Sequence, residues 1–273
     1  MQQLQHLLLD GHVQSAGGLV QHQQLGLHDQ RAGNGNALAL QAVLADIAAQ
    51  GIPTTDIVNL GDCLSGPLEA GRTAEILVLL QLPTVRGNHD RYLIEHAAGD
   101  MHEWEADAYA ELSPAHLDWL RSLPFSAVFR DVAYLCHATP ENDNTYWLEQ
   151  VSSEGHVHLR DLATIEGWAA GITQTLILCG HTHIPRAVQL SDGRLIVNPG
   201  SVGGPGYTDD APYPHKVEAG LPHASYAILD DASGRWSVTF RLVPYDHMAM
   251  SKLAAERDRP SWAKALATGF VDE

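Results

Sequence analysis

The chain has 273 residues, enough for one large α/β domain with a sizeable core or for two small ones. Its 33 acidic against 16 basic side chains leave a formal charge of -17. That balance argues against a nucleic-acid surface or an anionic membrane as the main partner, since both need a basic face, but leaves a small phosphorylated substrate open if local cations offset the field. Three widely spaced cysteines, Cys63, Cys136 and Cys179, do not suggest a disulfide framework. The N-terminus has no secretory pattern, and no apolar run approaches the roughly 18 residues of a membrane span, so a cytoplasmic location is expected.

Residues 1 to about 31 differ from all that follows: Gln and His crowd them, and they contain no Lys or Glu. Within them, residues 6–12 read as a short strand ending in Asp10-Gly11-His12. From 37 to about 50, Leu40, Val43, Leu44 and Ile47 recur at helical spacing, with Asn36 as N-cap and Gly51 past the end. A strand over 56–60 runs into Gly61-Asp62. A helix over 69–80 and a strand over 83–85 follow, the strand running into Gly87-Asn88-His89-Asp90.

The stretch 92–123 reads as helical, with Ser113 as a cap, Pro114 in a first turn, and Leu117, Leu120 and Leu123 along one face. Strands over 126–130 and 132–136 come next, the second ending in His137, and 141–175 reads as polar loop with a helix near 159–170. The apolar run 176–179 stops at Gly180 and presents His181 and His183, which alternation along an extended backbone puts on one face. A hairpin over 187–190 and 195–197 leads into Asn198-Pro199-Gly200-Ser201. The Gly/Pro-rich run 203–222 reads as a long loop, either a solvated connector or a substrate loop. A second hairpin, 225–229 with 236–242, and two amphipathic helices near 246–257 and 260–268 close the chain.

Alternating helices and strands with polar residues just past the strands describe an α/β sheet whose site lies at the carboxyl ends. Four strands end in candidate metal ligands: Asp62, Asn88, His137 and the pair His181/His183. One carboxylate, an amide oxygen and imidazoles suit Mn, Fe, Zn, Ni or Co better than a Ca or Mg cage. Cys136 and Cys179 read as core thiols, and His156 and His158 as surface histidines.

Taken in order, Gly61-Asp62, Gly87-Asn88-His89-Asp90, His137 and Gly180-His181-Thr182-His183 resemble the calcineurin-like metallophosphoesterases. Asn198-Pro199-Gly200-Ser201-Val202-Gly203 resembles their small bacterial phosphodiesterase branch, and the likeness runs from about 35 to 243. The resemblance implies a four-layer α/β/β/α sandwich and metal-dependent hydrolysis of a phosphodiester or small phosphomonoester by a metal-activated water, manganese being one metal of the family. It also implies two divalent ions, with Asp62 bridging, Asn88, His137 and His181 completing the second ion, and His183 joining the first. His89 is then a candidate to protonate the leaving oxygen or bind the phosphoryl group, with Asp90 orienting its ring. Arg86, Arg91 and Arg186 flank the motifs as phosphate contacts or as ion-paired surface residues.

One departure stands out. The family opens with D-x-H-G-N, and here Gly35-Asn36 fit that pattern while Ala32 and Asn34 occupy the D and H positions. The first ion would keep only Asp62 and His183. Three explanations stay open: Asp10 and His12 take over from a displaced strand, the site holds one ion or none, or residues 1–34 are mistranslated from a shifted frame or wrong start. The expected organisation is an atypical, disordered or mistranslated segment 1–34 and a metallophosphoesterase domain over 35–273. The alternative function is an inactive family member acting as a binding or scaffolding module.

Overall fold

The computed structural model describes residues 24–28, 36–64, 66–97 and 99–272. Two sheets form the centre of a mixed α/β fold. In the first, β1 (Gln24–His28) lies between β12 (Ala224–Asp230), to which it is antiparallel, and β2 (Ile57–Asn59), to which it is parallel. β13 (Ser237–Val243) pairs antiparallel with β12 at one edge, and Thr84 adds a single parallel bridge to Asn59 at the other. The second sheet has the order β3 (Ser126–Phe129), β4 (Ala133–Cys136), β7 (Leu176–Leu178), β9 (Leu195–Asn198), β8 (Arg186–Gln189). Its central strands β4, β7 and β9 run parallel.

The short strands show why they are apolar throughout. Leu176 and Leu178 pack into the cluster between the sheets with Val58, Leu60, Leu135, Val197, Ala227 and Leu229, whereas Ile177 packs behind the second sheet with Trp147, Ile165 and Ile196. In the first sheet Val58 likewise faces the second sheet, and Ile57 turns the other way. There it meets the helices α1 (Ala37–Ala49), α2 (Ala70–Leu80), α3 (Asn88–Glu95), α4 (Glu103–Glu111) and α5 (Pro114–Ser122). Leu40, Val43, Ile47, Leu77 and Leu120 from these helices join Ile57 and Tyr226, each large side chain contributing about 1.5–3 kcal/mol by burial.

α6 (Leu162–Trp168) covers the far face of the second sheet, and Trp147, 2 % exposed, donates from Nε1 to the Ile165 carbonyl at 3.2 Å. α7 (His247–Glu256) and α8 (Pro260–Thr268) pack on one another and on Leu68. Asn36 caps α1, its Oδ1 accepting from Ala39 N at 3.0 Å, while its Nδ2 donates to the Tyr245 hydroxyl at 2.9 Å and ties the helix to the segment before α7. Ser113 and Pro114 start α5 as their types predict.

The secondary structure differs from the sequence reading at several elements. β1 arises from a Gln/His-rich stretch that carries no clear strand pattern. The 83–85 strand reduces to the Thr84 bridge. The polar 141–175 segment contains a hairpin, β5 (Glu149–Val151) with β6 (Val157–Leu159), and the 203–222 run contains another, β10 (Gly206–Asp209) with β11 (His215–Glu218). In β11 the alternation is real, with His215 and Val217 buried around exposed Lys216, but four residues among glycines and prolines are too few to see it. The strand expected over 6–12, with Asp10 and His12, and positions 32, 34 and 35 lie outside the described residues. Among the described residues no helix is long and apolar enough to cross a membrane.

Candidate metal centre

The site is assembled from turns that leave the strands. After β2 the chain turns through Gly61 at φ +97° and Asp62 at φ +54°, with Asn59 Oδ1 accepting from Gly61 N at 3.1 Å. This turn lies against the one that begins α3. A Cβ added to Gly87 would sit 2.1 Å from Asp62 Oδ1, and one added to Gly61 would sit 2.5 Å from Gly87 N, so the approach requires both glycines.

Asp90 fastens the two turns together. Its carboxylate accepts from the backbone N–H groups of Asp62 at 2.7 Å, Cys63 at 2.7 Å and Gly87 at 2.9 Å. Burial and the neighbouring Asp62 charge push its pKa up to about 6, against the backbone donors, which favour the ionised form. The expectation that Asp90 orients His89 is therefore corrected: its oxygens are committed to the backbone.

On the second sheet, His137 follows β4 directly and donates from Nδ1 to the Leu60 carbonyl at 2.7 Å. β7 ends at Leu178, and Gly180 N donates to the His137 carbonyl at 2.7 Å. His181 and His183 are thus not on an extended strand. They adopt φ +74° and φ +61°, and the strand-alternation argument for a shared face does not hold. Left-handed non-glycine residues cost of order 1–3 kcal/mol each and concentrate at functional sites; Asp62, His181 and His183 all pay that cost here. Asn198, at the end of β9, braces the loop by donating from Nδ2 to the Gly180 carbonyl at 2.8 Å and to Thr182 Oγ1 at 2.9 Å.

These turns bring four donor atoms together. His137 Nε2 lies 3.2 Å from Asn88 Oδ1, 3.1 Å from His181 Nδ1 and 3.2 Å from Asp62 Oδ2, and His181 Nδ1 lies 3.1 Å from Asn88 Oδ1. Because His137 Nδ1 carries the hydrogen given to Leu60, Nε2 of the neutral ring presents a lone pair to the carboxylate and amide oxygens. Lone pairs facing one another in a buried site repel, and a divalent cation among them turns that repulsion into ligation. Two imidazoles, a carboxylate and an amide oxygen fit such a cation. Asp62, His137 and His181 are buried, with ligand atoms all within 4.8 Å of one another.

His183 stands outside that group. Its Nδ1 donates to the Gly204 carbonyl at 2.7 Å and its ring meets Tyr207 edge-on at 5.0 Å. Tyr207 comes from the β10–β11 hairpin, so the segment read as a long loop packs beside the site. His89 sits on α3, its backbone N donating to Asp62 Oδ1 at 2.9 Å and its Nδ1 to Glu105 Oε1 at 3.1 Å.

Of the flanking arginines, Arg91 binds both oxygens of Asp143 at 2.7 and 2.9 Å, and Arg186 binds Glu149 at 2.6 Å, so both are ion-paired. Cys136 and Cys179 are core residues, and burial raises the Cys136 pKa. His156 and His158 are exposed. Sequence reasoning missed the roles of Asp90, Asn198 and Glu105 in holding the ligands and His89. Asn198 and Asp90 lay inside quoted motifs, whereas Glu105 carries no motif signal.

The sequence profile of the calcineurin-like phosphoesterase superfamily domain matches residues 27–213, and the chain belongs to that superfamily. The family is one of hydrolases that use divalent metal ions on phosphate esters. Among solved structures, the chain is similar to a metallophosphoesterase from Sphaerobacter thermophilus, with 24% identity and a TM-score of 0.69 over 91% of this chain and 100% of that one. It is also similar to a hypothetical protein from Pyrococcus horikoshii OT3, with 17% identity and a TM-score of 0.69 over 91% of this chain and 99% of that one. Both likenesses concern the fold. No curated protein matches the chain.

Proposed function

We propose that this chain hydrolyses a phosphodiester or a small phosphomonoester, using a divalent cation held by Asp62, Asn88, His137 and His181. The observation that carries the reading is the meeting of those four donor atoms, with mutual distances of 3.1–3.2 Å where they touch, in a buried site where His137 Nε2 and the Asp62 and Asn88 oxygens turn lone pairs toward one another. A cation bound there supplies positive charge for phosphoryl oxygens and a water acidic enough to ionise near neutral pH.

The remaining steps fall to the chain's own residues. Asp62 is buried and fixed by Asp90 through its backbone, so its carboxylate keeps one orientation. His89, attached to Asp62 Oδ1 through its backbone N–H, is the acid that delivers a proton to the leaving oxygen. His183 belongs to the place of a second ion, whose remaining ligands would come from elsewhere in the chain. Manganese is the metal proposed for the assay, and a cytoplasmic location accompanies the reading because three buried cysteines suit a reducing compartment.

The test is to strip the purified chain of metal, restore Mn, and follow a chromogenic phosphodiester and monoester while counting bound ions. Turnover that disappears in Asn88→Ala and His181→Ala supports the hydrolase. A chain that binds no more than one ion weakly and turns over neither substrate contradicts it and leaves the binding or scaffolding module, the reading that Ala32 and Asn34 favour.

A further inference from the structure

We infer that Glu105, on α4 and outside every motif of the site, is the positioning residue for His89. The inference rests on the hydrolase reading for its chemical consequence, while the geometry behind it is independent of that reading. Glu105 is 0 % exposed. A carboxylate is costly to bury without partners, and a residue at the third position of a helix needs no burial to cap it. The cap uses only one oxygen: Oε2 accepts from His102 N at 3.2 Å. The other, Oε1, accepts from His89 Nδ1 at 3.1 Å.

The ring is held on other sides as well. Trp104, the neighbour of Glu105, lies 4.8 Å from the His89 ring centroid, and Tyr92 meets it edge-on at 5.4 Å. The backbone N–H of His89 is fixed to Asp62 Oδ1 at 2.9 Å. One helix with no ligand of its own thus supplies both the carboxylate and an aromatic wall for this histidine. A carboxylate at Nδ1 fixes the tautomer, keeping the hydrogen on Nδ1 and assigning Nε2 to the reaction. Free imidazole has no such preference imposed on it.

In hydrolysis a bond forms from a water oxygen to phosphorus and the bond from phosphorus to the leaving oxygen breaks. The leaving oxygen keeps the electron pair and takes the Nε2 proton of the doubly protonated His89, and the attacking water releases its proton to solvent. The ring returns to the neutral form with its hydrogen on Nδ1, facing Glu105. Losing a carboxylate that orients a metal-bound histidine costs about 10–100-fold, and a loss of the same order is expected for this histidine.

The tautomer can be read without turnover. In the full chain labelled with nitrogen-15 and loaded with Zn, long-range imidazole correlations give each neutral ring's protonated nitrogen, with His89 assigned by its loss in His89→Gln. The expected result is hydrogen on Nδ1 in the wild-type chain and a shift toward hydrogen on Nε2 in Glu105→Gln. A wild-type ring protonated on Nε2, or a signature unchanged in E105Q, overturns the inference. The wild-type tautomer needs no variant, so it decides the matter even if E105Q fails to fold.

Turnover adds a second reading. E105Q should lose about 10–100-fold on a phenyl ester, whose leaving oxygen needs a proton, and several-fold less on a nitrophenyl ester, with no further loss when combined with H89Q. Equal losses on both esters, or an additional loss in the double variant, overturn it. A wild-type chain without turnover contradicts the hydrolase reading alone and leaves the tautomer to decide the role of Glu105.

Discussion

His181 and His183 are two residues apart on one loop and share a left-handed backbone, yet they keep different company. His181 meets Asn88 and His137 at 3.1 Å each, among turns that come from both sheets. His183 gives its Nδ1 to Gly204 and packs against a tyrosine of the β10–β11 hairpin. Spacing along the chain therefore says little about ligation. What decides it is whether other turns deliver donor atoms to the same point, and for His181 those of Asp62, Asn88 and His137 do.

The comparison can be broken most forcefully at the contact between turns. Gly87→Ala would place a Cβ 2.1 Å from Asp62 Oδ1 and 2.5 Å from Asp62 N, the latter backbone that cannot yield. It should cost about 3 kcal/mol in denaturant unfolding and abolish metal binding at the His181 side, because the two turns separate. Retained stability with normal metal uptake would mean the turns are not held as described.

The next effect separates the two histidines directly. His181→Ala removes one of four donors and should weaken metal binding by more than about 100-fold in chelator competition, whereas His183→Ala should change the tightest site by less than about threefold. Equal losses would erase the distinction. A smaller effect is expected of Asn198→Ala, which leaves every donor in place but frees the loop from its brace at Gly180 and Thr182; about tenfold weaker binding is expected.

The smallest effect serves as a control away from both loops. Asp46 on α1 accepts from Arg241 at 2.8 and 3.0 Å and from the Tyr226 hydroxyl at 2.7 Å. The Arg241 hydrogen bonds hold its carboxyl below the ordinary range, with burial opposing them. The pair favours the ionised carboxylate of the folded chain, so its stability is present above the ordinary aspartate range and is lost as pH falls from there through the lowered pKa of the folded chain. Asp46→Asn should cost about 1 kcal/mol at neutral pH, no measurable stability in strong acid, and nothing in metal affinity.

Much of this was legible in the sequence, and the limits have physical reasons. Helices with caps, such as the one from Asn36 to Gly51 or the one opened by Ser113 and Pro114, announce themselves because backbone groups at helix ends need named side chains. The four ligands of the His181 group were legible because each follows a short apolar stretch, although in the structure Asn88 opens α3 and His181 stands in a turn past β7. The left-handed backbone of Asp62, His181 and His183 was not, since no residue type there requires it. Glu105 was invisible for another reason: a buried carboxylate on an amphipathic helix looks like any surface cap until its neighbours are known. The β10–β11 hairpin was hidden by glycines and prolines that break its short alternation.

The most direct test is diffraction from crystals of this chain soaked in Mn, with anomalous differences locating the ion among its sixteen histidines. The strongest peak is expected among Asp62, Asn88, His137 and His181. A strongest peak at His183 or at surface histidines, with those four residues unoccupied, would contradict that placement.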